Sequence, residues 1–438
     1  MVKIQFLELD QLTDAQRTKI MRRAETDISE LLPTTQAVID DVRANGDEAV
    51  VRYARKWDAA NFKASMLRAR PEDFKRARAN IAPDIVESIH VAHENIRKFH
   101  EEQLPEKMWF TEVQPGIMAG EKITPIASVG LYVPRGKGAF PSVMLMLATP
   151  AKAAGVPRIV VVTPPTPEGL PDDASLVAAE IAGIDEVYVV GGIQAISALA
   201  YGTETIPQVD KVIGPGNQYV SAAKRLLYGT FDVGLPAGPS ESIILTDENV
   251  DPRLAALDLL VEAEHGPDSA ALLVTHSRDV AEKALNILPE YIAQLPEWRQ
   301  GFVNNVLSNY GGIILTNNLE ESIAFVNDYA PEHLEVLVKD PFVALNKINN
   351  AGEILLGDWT PIPTGNYALG VNAILPTGGF AKTFSAVSVW DFLKRSSIAY
   401  LSREGYEGLE EHVARLADYE GFPAHANAIR TRNKILGV

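Results

Sequence analysis

The sequence predicts an α/β protein built on parallel sheets. Short apolar runs alternate with helical patterns twice, first between residues 128 and 240 and again between 241 and 338. Strands of a parallel sheet are apolar along their length because helices cover both faces. The two successive series therefore predict two similar α/β domains with a cleft between them.

The region before residue 128 has a different pattern. The first 30 residues predict a short strand and a charged helix that cannot form a core alone. From Thr34 a helical repeat of apolar residues is broken at Asn45-Gly46-Asp47, which predicts a turn between helices. A longer helix is predicted from Asp84 to Gln103.

Each βαβ series has its own set of predicted elements. The first has strands at 128–133, 158–163, 186–190 and 211–213, with helices near 141–155, 174–183, 193–201 and 217–228. The second has strands at 243–246, 271–275, 312–315 and 334–338, with helices near 251–264, 279–294 and 319–328. A last strand follows Ala351, and the chain from Val389 is predicted to be largely helical. The Gly/Pro-rich stretch between them, through Gly379, is a candidate pocket wall.

The composition excludes several classes of function. The chain has 438 residues and a net charge of −17, which disfavours nucleic acid and anionic membranes as partners. It has no cysteine, so disulfides, thiolate metal sites and a cysteine nucleophile are excluded. No apolar leader begins the sequence, and the longest uncharged run is rich in Gly and Pro. We therefore expect a cytoplasmic protein without a membrane span.

The strongest local candidate for chemistry is Glu332-His333, which follows Pro331. A carboxylate and an imidazole can both move protons near neutral pH. The alternative is a surface pair at the start of a strand. Because neighbouring residues of a regular strand point to opposite faces, both side chains can serve one pocket only if the backbone is irregular there.

Other candidates are ambiguous by themselves. Glu262 and His265, three residues apart at a predicted helix end, could share a metal ion or form an ion pair. Two strand-to-helix turns, one at 134–141 with Arg135 and one at 214–217, could contact an anionic ligand or be simple tight turns.

Six motifs together resemble one family. They are Gly130-Leu-Tyr-Val-Pro134, Gly214-Pro-Gly-Asn217, Ala237-Gly-Pro-Ser-Glu241, Ala263-Glu-His-Gly-Pro-Asp268, Tyr329-Ala-Pro-Glu-His333 and Ala424-His425. In this order and spacing they are similar to the histidinol dehydrogenase family. The resemblance implies a zinc-dependent, NAD-linked enzyme that oxidises a primary alcohol through an aldehyde to a carboxylate.

The resemblance also implies an architecture. The fold would comprise two incomplete Rossmann-like domains, one formed by residues 26–127 and 241–386 and the other, on the NAD side, by 128–240. Residues 1–25 would be a small N-terminal segment. Residues 387–438 would form a helical tail that reaches the partner subunit in an intertwined homodimer.

Site residues follow from the resemblance position by position. It makes Glu332 and His333 the acid/base pair. It places zinc ligands that also face the substrate at Glu262, His265, Asn366 and His425, further substrate contacts at Ser240 and Glu420, and NAD contacts at Tyr132, Gln194 and Asn217.

Three positions depart from the histidinol enzymes. Glu262 stands where they have Gln, Asn366 where they have Asp, and Ala373 where they have a pocket histidine. The first two changes are reciprocal, so the donor set keeps its formal charge and still suits zinc. Because the pocket has lost an imidazole, we expect another substrate.

The expected substrate is a small polar or anionic diol or a similar amino alcohol. The sulfopropanediol dehydrogenase branch, which oxidises 2,3-dihydroxypropane-1-sulfonate to sulfolactate, is the model for it. The alternatives are L-histidinol itself and a catalytically idle homologue that binds a ligand.

Overall fold

The computed structural model describes residues 4–23, 28–135 and 138–437. The chain divides into two compact units. The first comprises Met1–Gln103 and Ile126–Phe392, and the second comprises Leu104–Pro125 and Leu393–Val438.

The described residues form strands and α-helices in alternation. The strands are β1 (Phe6–Glu8), β2 (Met108–Gln114), β3 (Ile117–Pro125), β4 (Ser128–Tyr132), β5 (Arg158–Thr163), β6 (Val187–Val189), β7 (Lys211–Ile213), β8 (Glu241–Thr246), β9 (Ala270–Thr275), β10 (Gly312–Leu315), β11 (His333–Leu337), β12 (Glu353–Leu356) and β13 (Leu393–Leu401). The helices are α1 (Asp14–Arg22), α2 (Leu32–Trp57), α3 (Pro71–Asn80), α4 (Pro83–Glu102), α5 (Pro141–Ala153), α6 (Asp173–Ile181), α7 (Gly192–Tyr201), α8 (Gln218–Leu227), α9 (Pro252–Ala263), α10 (Arg278–Gln294), α11 (Glu297–Asn309), α12 (Leu319–Tyr329), α13 (Pro341–Leu345), α14 (Ile362–Tyr367), α15 (Arg403–Tyr419) and α16 (Pro423–Leu436).

The first unit contains a six-stranded parallel sheet in the order β1-β10-β9-β8-β11-β12. Alternate strand residues enter two separate apolar cores, so Ile244 packs with α9 and α10 while Ile243 packs with α12. This two-sided burial explains the continuous apolar runs of the sequence. His333, Glu335 and Leu337 share the α9 face, because side chains alternate along β11.

A four-stranded parallel sheet, in the order β6-β5-β4-β7, also lies in the first unit. It pairs β4 with β5 and β7, so the turns after β4 and β7 lie at the same edge. The predicted α/β class with parallel sheets is confirmed, and most predicted strands agree with the structure to within one or two residues. The predicted turn near residue 46 is a kink within α2, where Gly46 has φ 51°.

The second unit is an antiparallel sheet in the order β13-β3-β2 together with α15 and α16. The prediction of a largely helical chain from Val389 is wrong for 393–401, which forms β13 and pairs with β3 along its length. The hairpin at 108–125, assigned from sequence to the first Rossmann-like domain, is the other part of this sheet. The four-part domain division and the homodimer with an exchanged tail stay predictions.

No helix in the described part of the chain is both long and apolar enough to cross a membrane.

Candidate active site

The backbone before β11 is irregular, as a site using both Glu332 and His333 requires. Ala330 ends α12 in the left-handed conformation, with φ 53° and ψ 69°, and Pro331 follows. A left-handed residue with a side chain carries a strain on the order of 1–3 kcal/mol, which the surrounding packing must offset. Glu332 thus precedes the regular strand, and its Oε1 lies 3.9 Å from Nε2 of His333.

His333 is oriented by a second carboxylate. The parallel register places His333 opposite Glu353 of β12, and Nδ1 lies 2.8 Å from Glu353 Oε2. Both side chains are buried. A carboxylate that accepts the Nδ1–H fixes the orientation of the ring, so Nε2 faces the side on which Glu332 lies.

Burial and neighbouring charges shift both groups strongly. Burial alone would lower the pKa of His333, but the carboxylates of Glu262, Glu332 and Glu353 raise it to about 10. Burial also raises the pKa of Glu332 to about 8, with a further rise from Glu262, while His333 opposes the shift. Perturbed pairs of this kind concentrate at functional sites.

Three of the four predicted metal ligands lie together. Glu262 is buried in the last turn of α9, and its Oε2 lies 3.0 Å from Nδ1 of His265. The side-chain amide of Asn366, on α14, donates to Glu262 Oε1 at 3.1 Å. Although burial opposes it, the imidazoles of His265 and His333 lower the pKa of Glu262 to about 2, so this carboxylate is charged.

The side chains near the end of α9 include donors that zinc accepts. Within the described ranges, no group of three or more His, Cys, Asp and Glu side chains could hold a metal ion. The set at α9 is instead a carboxylate, an imidazole and an amide whose oxygen is not used in the bond to Glu262. Carboxylate, imidazole and amide donors suit a borderline cation, so these residues fit three positions of a zinc site.

Glu420 and His425 belong to the second unit. Glu420 caps the C-terminal end of α15. His425 lies on α16, and the centre of its ring is 5.2 Å from that of Phe422, the residue before this helix. Their assignment as substrate contact and metal ligand stays a prediction.

Two of the predicted NAD contacts meet at the edge of the four-stranded sheet. Tyr132, the last residue of β4, accepts a hydrogen bond from the amide of Gly192 at 3.1 Å. Gln194 is buried on α7, with its amide 3.5 Å from Asp58 and its carbonyl oxygen without a partner among the described residues. Burial raises the pKa of Asp58 to about 6. Tyr132 and Gln194 offer neutral donors and acceptors at the carboxyl ends of the strands, where nucleotides bind in such folds.

Asn217 and Ser240 have backbone roles of their own. The carbonyl oxygen of the Asn217 side chain caps α8 by accepting from Tyr219 and Val220, which leaves its amide exposed. The half-buried Ser240 directly precedes β8, and its carbonyl accepts from Ala270 at 3.0 Å. Gly136 and Lys137 of the predicted anion-binding turn lie outside the described residues.

Sequence reasoning assigned no role to several charged residues at the site. Glu241 and Glu353 open the strands β8 and β12, and Arg23 forms an ion pair with Glu241. A carboxylate at the first position of an otherwise apolar, buried strand was the available signal. A buried carboxylate without a partner would reduce the free energy of unfolding by several kcal/mol, so its presence in a buried strand indicates that a partner lies nearby.

A further buried acid pair lies deeper on the α9 face. Glu335 is two residues after His333 on β11, and Asp258 is one helical turn before Glu262 on α9. Burial raises the pKa of Glu335 to about 10, and the neighbouring Asp258 adds to the shift. Two carboxyl groups side by side in a buried place are stable when they share a proton.

Comparison with known proteins identifies the family of the chain. The family model described as histidinol dehydrogenase matches residues 21–433. A Synechocystis protein named histidinol dehydrogenase is 56% identical, over 98% of this chain and 99% of its own length. The histidinol dehydrogenase homolog 2 of Mesorhizobium japonicum is 51% identical over 98% of both chains.

Among solved structures, the histidinol dehydrogenase of Elizabethkingia anophelis superposes with a TM-score of 0.94 at 32% identity and covers 100% of both chains. The chain therefore belongs to the histidinol dehydrogenase family and is an NAD-dependent enzyme that oxidises an alcohol by four electrons.

Proposed function

We propose that the chain oxidises a primary alcohol through an aldehyde to a carboxylate, with Glu332 and His333 as the proton-handling pair. The observation that carries the proposal is the buried arrangement in which Nε2 of His333 lies 3.9 Å from Glu332 and Nδ1 lies 2.8 Å from Glu353. Such an arrangement holds Nε2 of His333 in a fixed direction, with a carboxyl group nearby on the same side.

Glu262, His265 and Asn366 would hold zinc, together with His425 as the proposed fourth ligand. When bound, zinc supplies Lewis-acid polarisation of a substrate oxygen, and NAD supplies the hydride acceptor. NAD is proposed to contact Tyr132, Gln194 and Asn217 at the edge of the four-stranded sheet.

The chain's own residues perform the proton transfers of the proposed mechanism. In the first oxidation, the neutral form of His333 accepts the proton of the alcohol hydroxyl at Nε2, while Glu353 stabilises the resulting imidazolium through Nδ1. A cation bound at Glu262 would favour that neutral form, because it would offset a carboxylate charge that raises the pKa of His333. In the second, Glu332 takes a proton from water as the water adds to the aldehyde. Because the chain has no cysteine, a thiohemiacetal route to the carboxylate is unavailable, so water must be the nucleophile.

The substrate has two candidates. L-histidinol is the one that the comparisons support better, since the 56% identical relative is named histidinol dehydrogenase. The sulfonated diol 2,3-dihydroxypropane-1-sulfonate, favoured from the sequence, is the second. Two features of the site support it. The half-buried Ala373 stands where the resemblance to the histidinol enzymes implies a histidine, and Glu262 and Asn366 exchange the amide and the carboxylate implied at those positions.

A substrate panel separates the two candidates. The purified protein is incubated with zinc and NAD and with each alcohol, and acid formation is followed by mass spectrometry. Rapid formation of histidine from histidinol identifies the first candidate, and rapid formation of sulfolactate identifies the second. If neither alcohol nor its aldehyde is oxidised and no zinc is retained, the ligand-binding homologue replaces the enzyme.

The residue Ala373 provides a matched variant for the same panel. We expect Ala373→His to raise kcat/KM for histidinol by about 10-fold relative to the diol, since a correctly placed polar contact contributes about 1–2 kcal/mol. An unchanged ratio of the two kcat/KM values would show that this position does not select the substrate.

A further inference from the structure

Arg23 directly follows α1, and its buried side chain lies against Glu241 and Tyr329. Its side chain is 9% exposed, and its Nε donates to Oε2 of Glu241, which is 2% exposed. Its Nη2 donates to the carbonyl of Tyr329 at 2.5 Å, and the guanidinium lies 3.7 Å from the centre of the Tyr329 ring. One planar side chain therefore connects the N-terminal segment, β8 and the end of α12.

Glu241 transmits this contact to Glu332. Its Oε1 accepts from the amide of Gly378, so the carboxylate is held from two sides. The backbone amide of Glu241 in turn donates to Oε2 of Glu332 at 2.9 Å. The direction of the Glu332 carboxylate thus depends on where β8 begins.

The same arginine contacts the strained turn. Among the described residues, Arg23 and Ala330 are the only non-glycine residues with positive φ, at 58° and 53°. Nη2 of Arg23 lies 3.4 Å from the carbonyl of Ala330, in addition to its bond with Tyr329. Strained backbone persists where several contacts determine it together, and here the two strained residues contact each other.

We propose that Arg23 is a positioning residue for Glu332. It holds the Glu241 amide against Oε2 of Glu332 and fixes the turn at Ala330 that brings Glu332 beside His333. The proposal rests on the proposed function, in which Glu332 serves the second oxidation.

Arg23→Lys is the most informative variant. It keeps the positive charge beside Glu241, but one ammonium group cannot reproduce the planar fork that reaches both Glu241 and the Tyr329 carbonyl. We expect kcat for aldehyde oxidation to fall about 10-fold with KM changed less than about 2-fold, while alcohol oxidation falls less than about 2-fold. Equal losses in both steps would overturn the proposal.

Arg17→Lys is the matched control. Arg17 belongs to α1 and pairs with Asp328 of α12 at 3.0 Å, but both side chains are about half exposed and neither contacts Glu241. This variant tests whether any weakened link between the same two helices slows the second step. We expect wild-type rates for both steps, and melting temperatures are compared for both variants.

A double-mutant comparison shows whether Arg23 acts through Glu332. In the Glu332→Gln background, Arg23→Lys should reduce aldehyde oxidation by less than about 2-fold further, because its target is already removed. A full additional 10-fold loss would mean that Arg23 acts by another route and would overturn the proposal.

Crystal structures give a result that does not depend on activity. In Arg23→Lys we expect Glu332 Oε2 to leave the Glu241 amide or Ala330 to leave the left-handed conformation. If both are retained, Arg23 does not position Glu332, whatever the reaction is. If Glu332→Gln affects neither oxidation while these structures change as expected, the proposed role of Glu332 fails and the structural role of Arg23 stands.

Discussion

The two parallel sheets of the first unit share one construction but bury different chemistry. The six-stranded sheet has three buried acids within its strands, Glu241, Glu335 and Glu353. The strands of the four-stranded sheet, β4 to β7, contain no Asp or Glu at all. Their polar groups stand instead at strand ends and turns, such as Tyr132 and Asn217.

The difference indicates a division of labour. A charge buried in a sheet costs several kcal/mol unless it is paired, and the acids of the six-stranded sheet are paired with His333, with Arg23 and with Asp258 of α9. Such a cost is typical of sites that move protons or hold cations. Neutral groups at strand ends suit the reversible binding of a nucleotide.

The largest expected effect is at His333. We expect His333→Ala to reduce kcat for alcohol oxidation by about 1000-fold, within the range for loss of a general base. His276→Ala is the control, because His276 lies after β9 of the same sheet and pairs with Glu248 at 3.0 Å, away from the α9 donor set. A loss below about 10-fold at His333, or an equal loss at His276, would contradict the assignment. Steady-state rates with saturating NAD measure both variants.

The buried acid pair predicts a pH-dependent stability. Because the folded-state pKa of Glu335 is raised to about 10, the folded protein keeps a proton that the unfolded chain releases above about pH 4. The contribution to stability is therefore full at low pH and declines as pH rises toward the folded pKa. Glu335→Gln mimics the protonated form, so we expect it to be more stable than wild type at pH 9 by about 2 kcal/mol or more, with no advantage near pH 4.

Urea unfolding at several pH values measures this difference. Glu282→Gln, on the exposed side of α10, is the control and should follow the wild-type curve. If Glu335→Gln and wild type keep the same difference from pH 5 to pH 9, Glu335 is not held protonated in the folded state.

The smallest effect is expected on the four-stranded sheet. Asn217→Ser keeps a side-chain oxygen that can cap α8 but removes the exposed amide. We expect the melting temperature to stay within about 2 °C and KM for NAD to rise about 3-fold to 10-fold with little change in kcat. Unchanged KM would leave Asn217 with its capping role alone, and a fall in kcat without a change in KM would contradict the division between the sheets.

The parallel sheets could be predicted from sequence because most of their strands contain a short run of apolar residues. The antiparallel hairpin could not, since β2 is exposed along its whole length and shows no buried alternation. β13 was likewise assigned to a helical tail. Its residues are mostly exposed, including Lys394 and Arg395, and its strand conformation depends on pairing with β3, which the sequence does not show.

Without the family resemblance, the site was predictable only where its residues are neighbours in sequence. In Glu332-His333 and in Glu262-x-x-His265, the spacing in the sequence is enough to predict that the two side chains lie close together. Glu353, by contrast, faces His333 through the register of two strands, and Arg23 reaches Glu241 across 218 positions. Such partnerships depend on the tertiary fold.

The stoichiometry of NADH formation tests most directly whether the acid-rich sheet performs both oxidations. The measurement is the amount of NADH formed per molecule of alcohol consumed, in wild type and in Glu332→Gln, with the alcohol that the substrate panel identifies. The wild type should form two NADH and release the carboxylate, whereas Glu332→Gln should form about one and accumulate aldehyde. Two NADH per alcohol at the wild-type rate in Glu332→Gln would contradict the account.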